Sequence, residues 1–109
     1  MLAHTGPDVL VAYERSGGFA GIHQKITVNM SGTALVNDEK VALGAEEMRG
    51  LKDALSRVVT TASSSEGCQV ADHFAYTLTY RGHRATRCWL PSDWRDAVDR
   101  LEALTGGRR

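Results

Sequence analysis

Val9-Leu10-Val11-Ala12-Tyr13-Glu14-Arg15-Ser16-Gly17-Gly18-Phe19-Ala20-Gly21-Ile22-His23-Gln24-Lys25-Ile26-Thr27-Val28-Asn29-Met30 reads as a β-hairpin, and the fold is built outward from it. Over residues 8–15, Val9, Val11 and Tyr13 alternate with Leu10, Ala12 and Glu14. That is the period of a strand, and its partly apolar second face suits a central position. Residues 16–21 turn the chain, because Gly17 and Gly18 accept positive φ without a Cβ clash. The return strand, about residues 22–30, carries Ile22, Ile26, Val28 and Met30 on one face, with Gln24 the exception. His23, Lys25, Thr27 and Asn29 take the other, so one face packs and one meets water.

A second hairpin follows later. In residues 72–80, Phe74, Tyr76, Leu78 and Tyr80 share a face opposite His73, Thr77 and Thr79. Arg81-Gly82 turns the chain, and residues 83–90 return with Thr86, Cys88 and Leu90 as the expected inward set, until Pro91 ends the strand. Two helices are expected. Residues 45–60 place Met48, Leu51, Leu55, Val58 and Val59 at helical spacing, with Glu46 and Glu47 favourably placed in the first turn. Residues 93–104, capped by Ser92, carry Trp94, Ala97, Val98, Leu101 and Leu104, and Gly106-Gly107 ends the helix. Residues 31–43 fit either short edge strands or loop, with turn signals at Ser31-Gly32 and Asn37-Asp38. Residues 60–67 are a serine-rich loop. The class expected is α+β: an antiparallel sheet of about four strands built from two hairpins, with two helices packed on one face. One domain spans residues 8–105, between a disordered lead at 1–7 and a frayed basic tail at 106–109.

The chain has 109 residues, with 13 Lys+Arg against 13 Asp+Glu, which suits one domain and argues against bulk nucleic-acid binding. No apolar run is long enough for a membrane span. The N-terminus lacks a basic region followed by an apolar core, so no signal peptide is read and the cytoplasm is expected. Cys68 and Cys88 are too few for a disulfide scaffold and read first as two separate thiols. A single disulfide is the alternative, and it would matter for an exported protein. His4, His23, His73 and His83 are scattered without metal-ligand spacing. No nucleophile elbow, P-loop or dinucleotide fingerprint occurs, so no enzyme activity and no cofactor are expected. The basic hairpin Arg81, His83, Arg84 and Arg87, with Tyr80 and Trp89 nearby, suggests either a strand edge protected by charge or a single-stranded nucleic-acid surface. Phe19 lies near the tip of the glycine turn. It fits a binding anchor on a permissive loop, or a cap folded back onto the sheet.

The segment Tyr13-Glu14-Arg15-Ser16-Gly17-Gly18-Phe19-Ala20-Gly21-Ile22 resembles the N-terminal hairpin of the emfourin family, small bacterial inhibitors of thermolysin-like (M4) metalloproteases of the protealysin type. Asp72-His73-Phe74-Ala75-Tyr76-Thr77-Leu78-Thr79-Tyr80 is similar to that family's Asp-x-Phe-x-Tyr-x-Leu strand, and the two helices fall in matching order. Residues 31–43 and the serine-rich loop match poorly. The resemblance implies a proteinaceous inhibitor whose partner is the catalytic domain of a thermolysin-like protease. One loop would offer a carboxylate to the enzyme's zinc, with Asp72 first choice and Asp38 second. The other would place apolar side chains in substrate subsites, so Ser16, Gly17, Gly18, Phe19, Ala20, Gly21 and Ile22 are the candidate contacts. The inhibitor itself then needs no metal.

Overall fold

In the computed structural model, which describes residues 9–17, 22–60, 68–69 and 74–106, the hairpin read from the sequence is the central pair of a six-stranded antiparallel sheet. Strand β1 (Val9–Gly17) pairs with β2 (Ile22–Asn29). The chain continues through β3 (Thr33–Val36) and β4 (Glu39–Ala42) to one edge. Helix α1 (Ala45–Leu55) then carries it to the far side of β1, where β5 (Phe74–Tyr80) and β6 (His83–Arg87) complete the order β4-β3-β2-β1-β5-β6. Helix α2 (Ser92–Gly106) closes the fold.

The α+β class and the helices on one face hold, but the sheet has six strands rather than about four. The two extra strands come from the segment left between strand and loop. Asn37 and Asp38 have φ of 51° and 75°, the double positive φ of a type I′ hairpin turn. That turn brings Glu39 back opposite Val36. Asn37 N–H donates to the Lys25 carbonyl at 2.8 Å, and Lys25 N–H donates to Asn37 Oδ1 at 2.9 Å, which locks the turn onto β2.

One face of the sheet builds the core. Val11, Tyr13, Ile26, Val28, Ala34, Val36, Leu78 and Ala85 are buried with Met48, Leu51, Ala54 and Leu55 of α1 and Trp94, Ala97, Val98, Leu101 and Leu104 of α2. A bulge between Val9 and Val11 shifts the β1–β2 register, and Leu10 packs against the core beside Val11. His23, Lys25 and Leu35 are exposed on the opposite face, which neither α1 nor α2 covers.

Several sequence expectations need correction. On β6 the buried residue is Ala85, not Thr86. The turn at Arg81 and Gly82 (φ 56° and 80°) sets Ala85 opposite buried Leu78, while Thr86 faces Thr77 on the open side, their hydroxyls 2.9 Å apart. The strand ends at Arg87 rather than residue 90, and only Leu90 of the later residues packs on the core. Helix α1 ends at Leu55 rather than residue 60. Beyond it Val59 is exposed, its backbone held by α2 instead of by a further helical turn. Met30 lies in the β2–β3 turn and is exposed rather than packed. Ser92 and Gly106 belong to α2.

The helices run antiparallel and are clipped at one end by charge. Arg57 reaches Asp53 at 3.1 Å and Asp96 at 2.9 Å, and Arg100 reaches Asp96 at 3.1 Å. Exposed pairs of this kind orient the helices more than they stabilise them. Glu47 accepts the Gly44 N–H at 2.8 Å and so satisfies one free donor at the start of α1.

Candidate interaction site

The sheet end where β1 finishes and β5 begins carries the described residues that flank the two regions singled out from the sequence. In the β1–β5 ladder Gly17 is the partner of Phe74, and in the β1–β2 ladder it is the partner of Ile22. The first residue after the glycine turn, the last before it and the head of β5 therefore share one row. Of the expected contact residues, Ser16, Gly17 and Ile22 are strand residues of this row or the one inside it. Gly18, Phe19, Ala20, Gly21 and Asp72 lie outside the described residues. Asp38, the second carboxylate considered, is an exposed turn residue on β3–β4, two strands away from β1. Its positive φ gives it a structural task of its own.

Behind the row sits a cationic and aromatic cluster. Arg15 is the register partner of both Gln24 and Tyr76, and Tyr76 of Arg87. The Arg15 guanidinium lies 4.9 Å from the centre of the Phe74 ring, within cation–π range, and Phe74 lies 6.4 Å from Tyr76. Arg15 Nε is 3.4 Å from the Glu102 carboxylate of α2, which also accepts the Tyr13 hydroxyl at 2.5 Å. The end of β1 is thereby tied to the second half of α2. Sequence reading found the aromatics of this cluster by alternation but not Glu102, because nothing local links a helical glutamate to a distant strand.

The cysteines are bonded to each other, which corrects the reading of two separate thiols. Cys68 and Cys88 form a disulfide with Cα atoms 5.1 Å apart. The β5–β6 hairpin carries Cys88 back to the end from which β5 starts, where Cys68 precedes it. Sequence spacing cannot reveal this return. Next to it, Trp89 is 66% exposed.

The basic hairpin does not present one cationic face. Arg84 sits opposite Thr79 on the open side of the sheet, whereas Arg87 sits opposite Tyr76 on the core side, 5.3 Å over the Trp94 ring. Arg81 lies 5.3 Å from the Tyr80 ring centre. Among the described residues no group of three His, Cys, Asp or Glu is arranged to hold a metal ion, and no helix is long and apolar enough to cross a membrane.

Tyr13 reports on the cluster through pH. Burial first, then donation to Glu102 and that carboxylate's charge, hold the Tyr13 hydroxyl protonated well above its ordinary value of 10.0, while Arg15 opposes them. The folded value exceeds the unfolded one, so this contribution to stability is intact below about pH 10 and lost as pH rises above it. Urea unfolding is expected to show stability falling from about pH 10 upward. Tyr13→Phe should flatten that decline and cost about 1–3 kcal/mol at neutral pH, through the lost bond to a charged acceptor. An unchanged alkaline slope in the variant would contradict the assignment.

Comparison with protein-family models, curated proteins and solved structures found no match to the chain.

Proposed function

We propose that the chain is a proteinaceous inhibitor of a thermolysin-like zinc metalloprotease, docking by the sheet end at Gly17 and Phe74. The observation that supports this most is the pairing of those two residues in adjacent strands. The two segments that resemble the emfourin hairpin and strand are far apart in sequence, yet a two-loop mechanism needs them to meet one partner together. The chemistry is consistent. A catalytic zinc keeps one coordination position open for water or substrate, and a carboxylate such as that of Asp72 can fill it. Phe19 and Ile22 suit the bulky apolar subsites of such an enzyme. The metal in this scheme belongs to the protease.

A nucleic-acid role for residues 81–87 has less support, since Arg84 and Arg87 take opposite faces. Salt-sensitive binding to single-stranded nucleic acid would favour it. The disulfide bears on where inhibition occurs. An oxidising compartment keeps Cys68–Cys88 closed, whereas the cytoplasm expected from the N-terminal sequence works to open it.

The test is titration of a panel of M4 proteases with recombinant protein. Activity of the target enzyme is expected to fall near stoichiometrically. Phe19→Ala should weaken inhibition by about 1–3 kcal/mol, and Asp72→Asn should weaken it as well. Failure to inhibit any enzyme of the panel would reject the proposal.

A further inference from the structure

Trp89 has the greatest exposure of the large apolar side chains among the described residues, at 66%. Packing does not require this. Trp94, a few positions on, is fully buried with its indole N–H satisfied by the Val59 carbonyl at 2.9 Å. Yet the backbone around Trp89 is held on both sides. Cys88 is tied to Cys68 by the disulfide, and Leu90 packs against the core. The chain here is fixed while one indole is left in water.

Its location adds a second observation. Trp89 follows Arg87 by two residues, and Arg87 pairs with Tyr76 on the strand that Phe74 begins. Two residues of extended chain span only about 7 Å, so Trp89 stands at the sheet end that carries Gly17, Phe74 and the Arg15 cluster. Trp, Tyr and Arg are the side chains most enriched among residues that dominate binding energy. An indole on a backbone already held in place loses little further freedom on docking, which favours affinity.

We infer that Trp89 is an aromatic anchor of the protease-binding end, separate from the glycine hairpin, and that it seats in an apolar depression beside the enzyme's active-site cleft. The inference rests on the inhibitor reading and extends it to residues that the resemblance does not name.

Trp89 and Trp94 are the chain's 2 tryptophans, so biosynthetic labelling with 5-fluorotryptophan yields two resonances, and Trp89→Phe assigns them. On adding the inhibited protease, unlabelled, the Trp89 signal is expected to shift and the Trp94 signal to stay close to its free position. Trp89→Ala should raise the inhibition constant roughly thirtyfold or more with no change in the unfolding midpoint, and Trp89→Phe should recover part of the loss. Wild-type inhibition that Trp89→Ala leaves intact, or an unmoved Trp89 resonance in the complex, would overturn this inference and leave the inhibitor reading standing. A wild-type chain that inhibits no M4 enzyme would overturn both.

Discussion

Trp94→Ala is expected to remove about 4–6 kcal/mol of folding free energy, a large share of the roughly 5–15 kcal/mol that holds a small domain folded. Trp94 is fully buried in the core that joins α2 to the sheet. Truncating a buried aromatic to alanine costs about 3–5 kcal/mol through lost transfer energy and the cavity left behind. A second effect adds to this. The Val59 carbonyl accepts the Trp94 Nε1–H at 2.9 Å, and the Val59 N–H donates to Asp93 at 3.0 Å. These two bonds clamp the chain as it leaves α1. Removing the indole leaves a carbonyl without that donor, for about 1 kcal/mol or more. Arg87 also loses the ring it covers. Urea unfolding followed by far-UV circular dichroism would measure the change. Trp94→Phe separates the two parts, because it keeps most of the burial and loses only the donor, and should cost about 1–3 kcal/mol. An alanine variant within about 1 kcal/mol of wild type would show that neither the burial of Trp94 nor its bond to Val59 stabilises the fold as expected.

Removing the disulfide is expected to have the next largest effect. Cys68 and Cys88 are 20 positions apart, and closing a loop of that length in the unfolded chain is worth about 3 kcal/mol in the chain-entropy account. For a domain of this size that corresponds to a melting temperature lower by roughly 10–20 °C. The Cys68→Ser/Cys88→Ser double variant is the appropriate comparison, since either single change leaves a free thiol. Calorimetry of the wild type with and without reductant gives the same quantity independently. The bond joins the chain ahead of β5 to the chain leaving β6, beside Trp89 and the Gly17–Phe74 row. If the chain acts as the proposed inhibitor, inhibition should therefore suffer beyond the loss of stability, because the residues at that end would have to be ordered on binding. Equal melting temperatures for the reduced and oxidised protein would mean that the bond contributes nothing to the fold.

Much of the architecture is legible in local pattern. Ile26 and Val28 against His23 and Lys25 mark β2 as a strand with one wet face, and both pairs lie where alternation puts them. Leu78 at the centre of β5, Met48, Leu51 and Leu55 on α1, and Trp94, Val98 and Leu101 on α2 are buried as their spacing requires. The failures also have physical causes. Strands β3 and β4 have four residues each, and on β3 the core side shows only Ala34 and Val36, too little for a periodic signal. On β6 the larger side chains suggested the wrong face. The two-residue turn at Arg81 and Gly82 sets the register, and register outranks size when Ala85 falls opposite Leu78.

The sequence by itself determined the element types outside residues 31–43, the buried faces of β2, β5 and both helices, and two segments whose resemblance pointed to one kind of partner. Periodicity reports which side of an element meets water, and that information is local. Only the tertiary structure decided which elements are neighbours. Whether β5 would extend the sheet beside β4 or pass to the far side of β1 depends on where α1 and its connections carry the chain. The packing of the whole core settles that choice. Because β5 lies beside β1, Gly17 meets Phe74, Cys88 returns to Cys68, and an exposed tryptophan stands at the same end as Gly17.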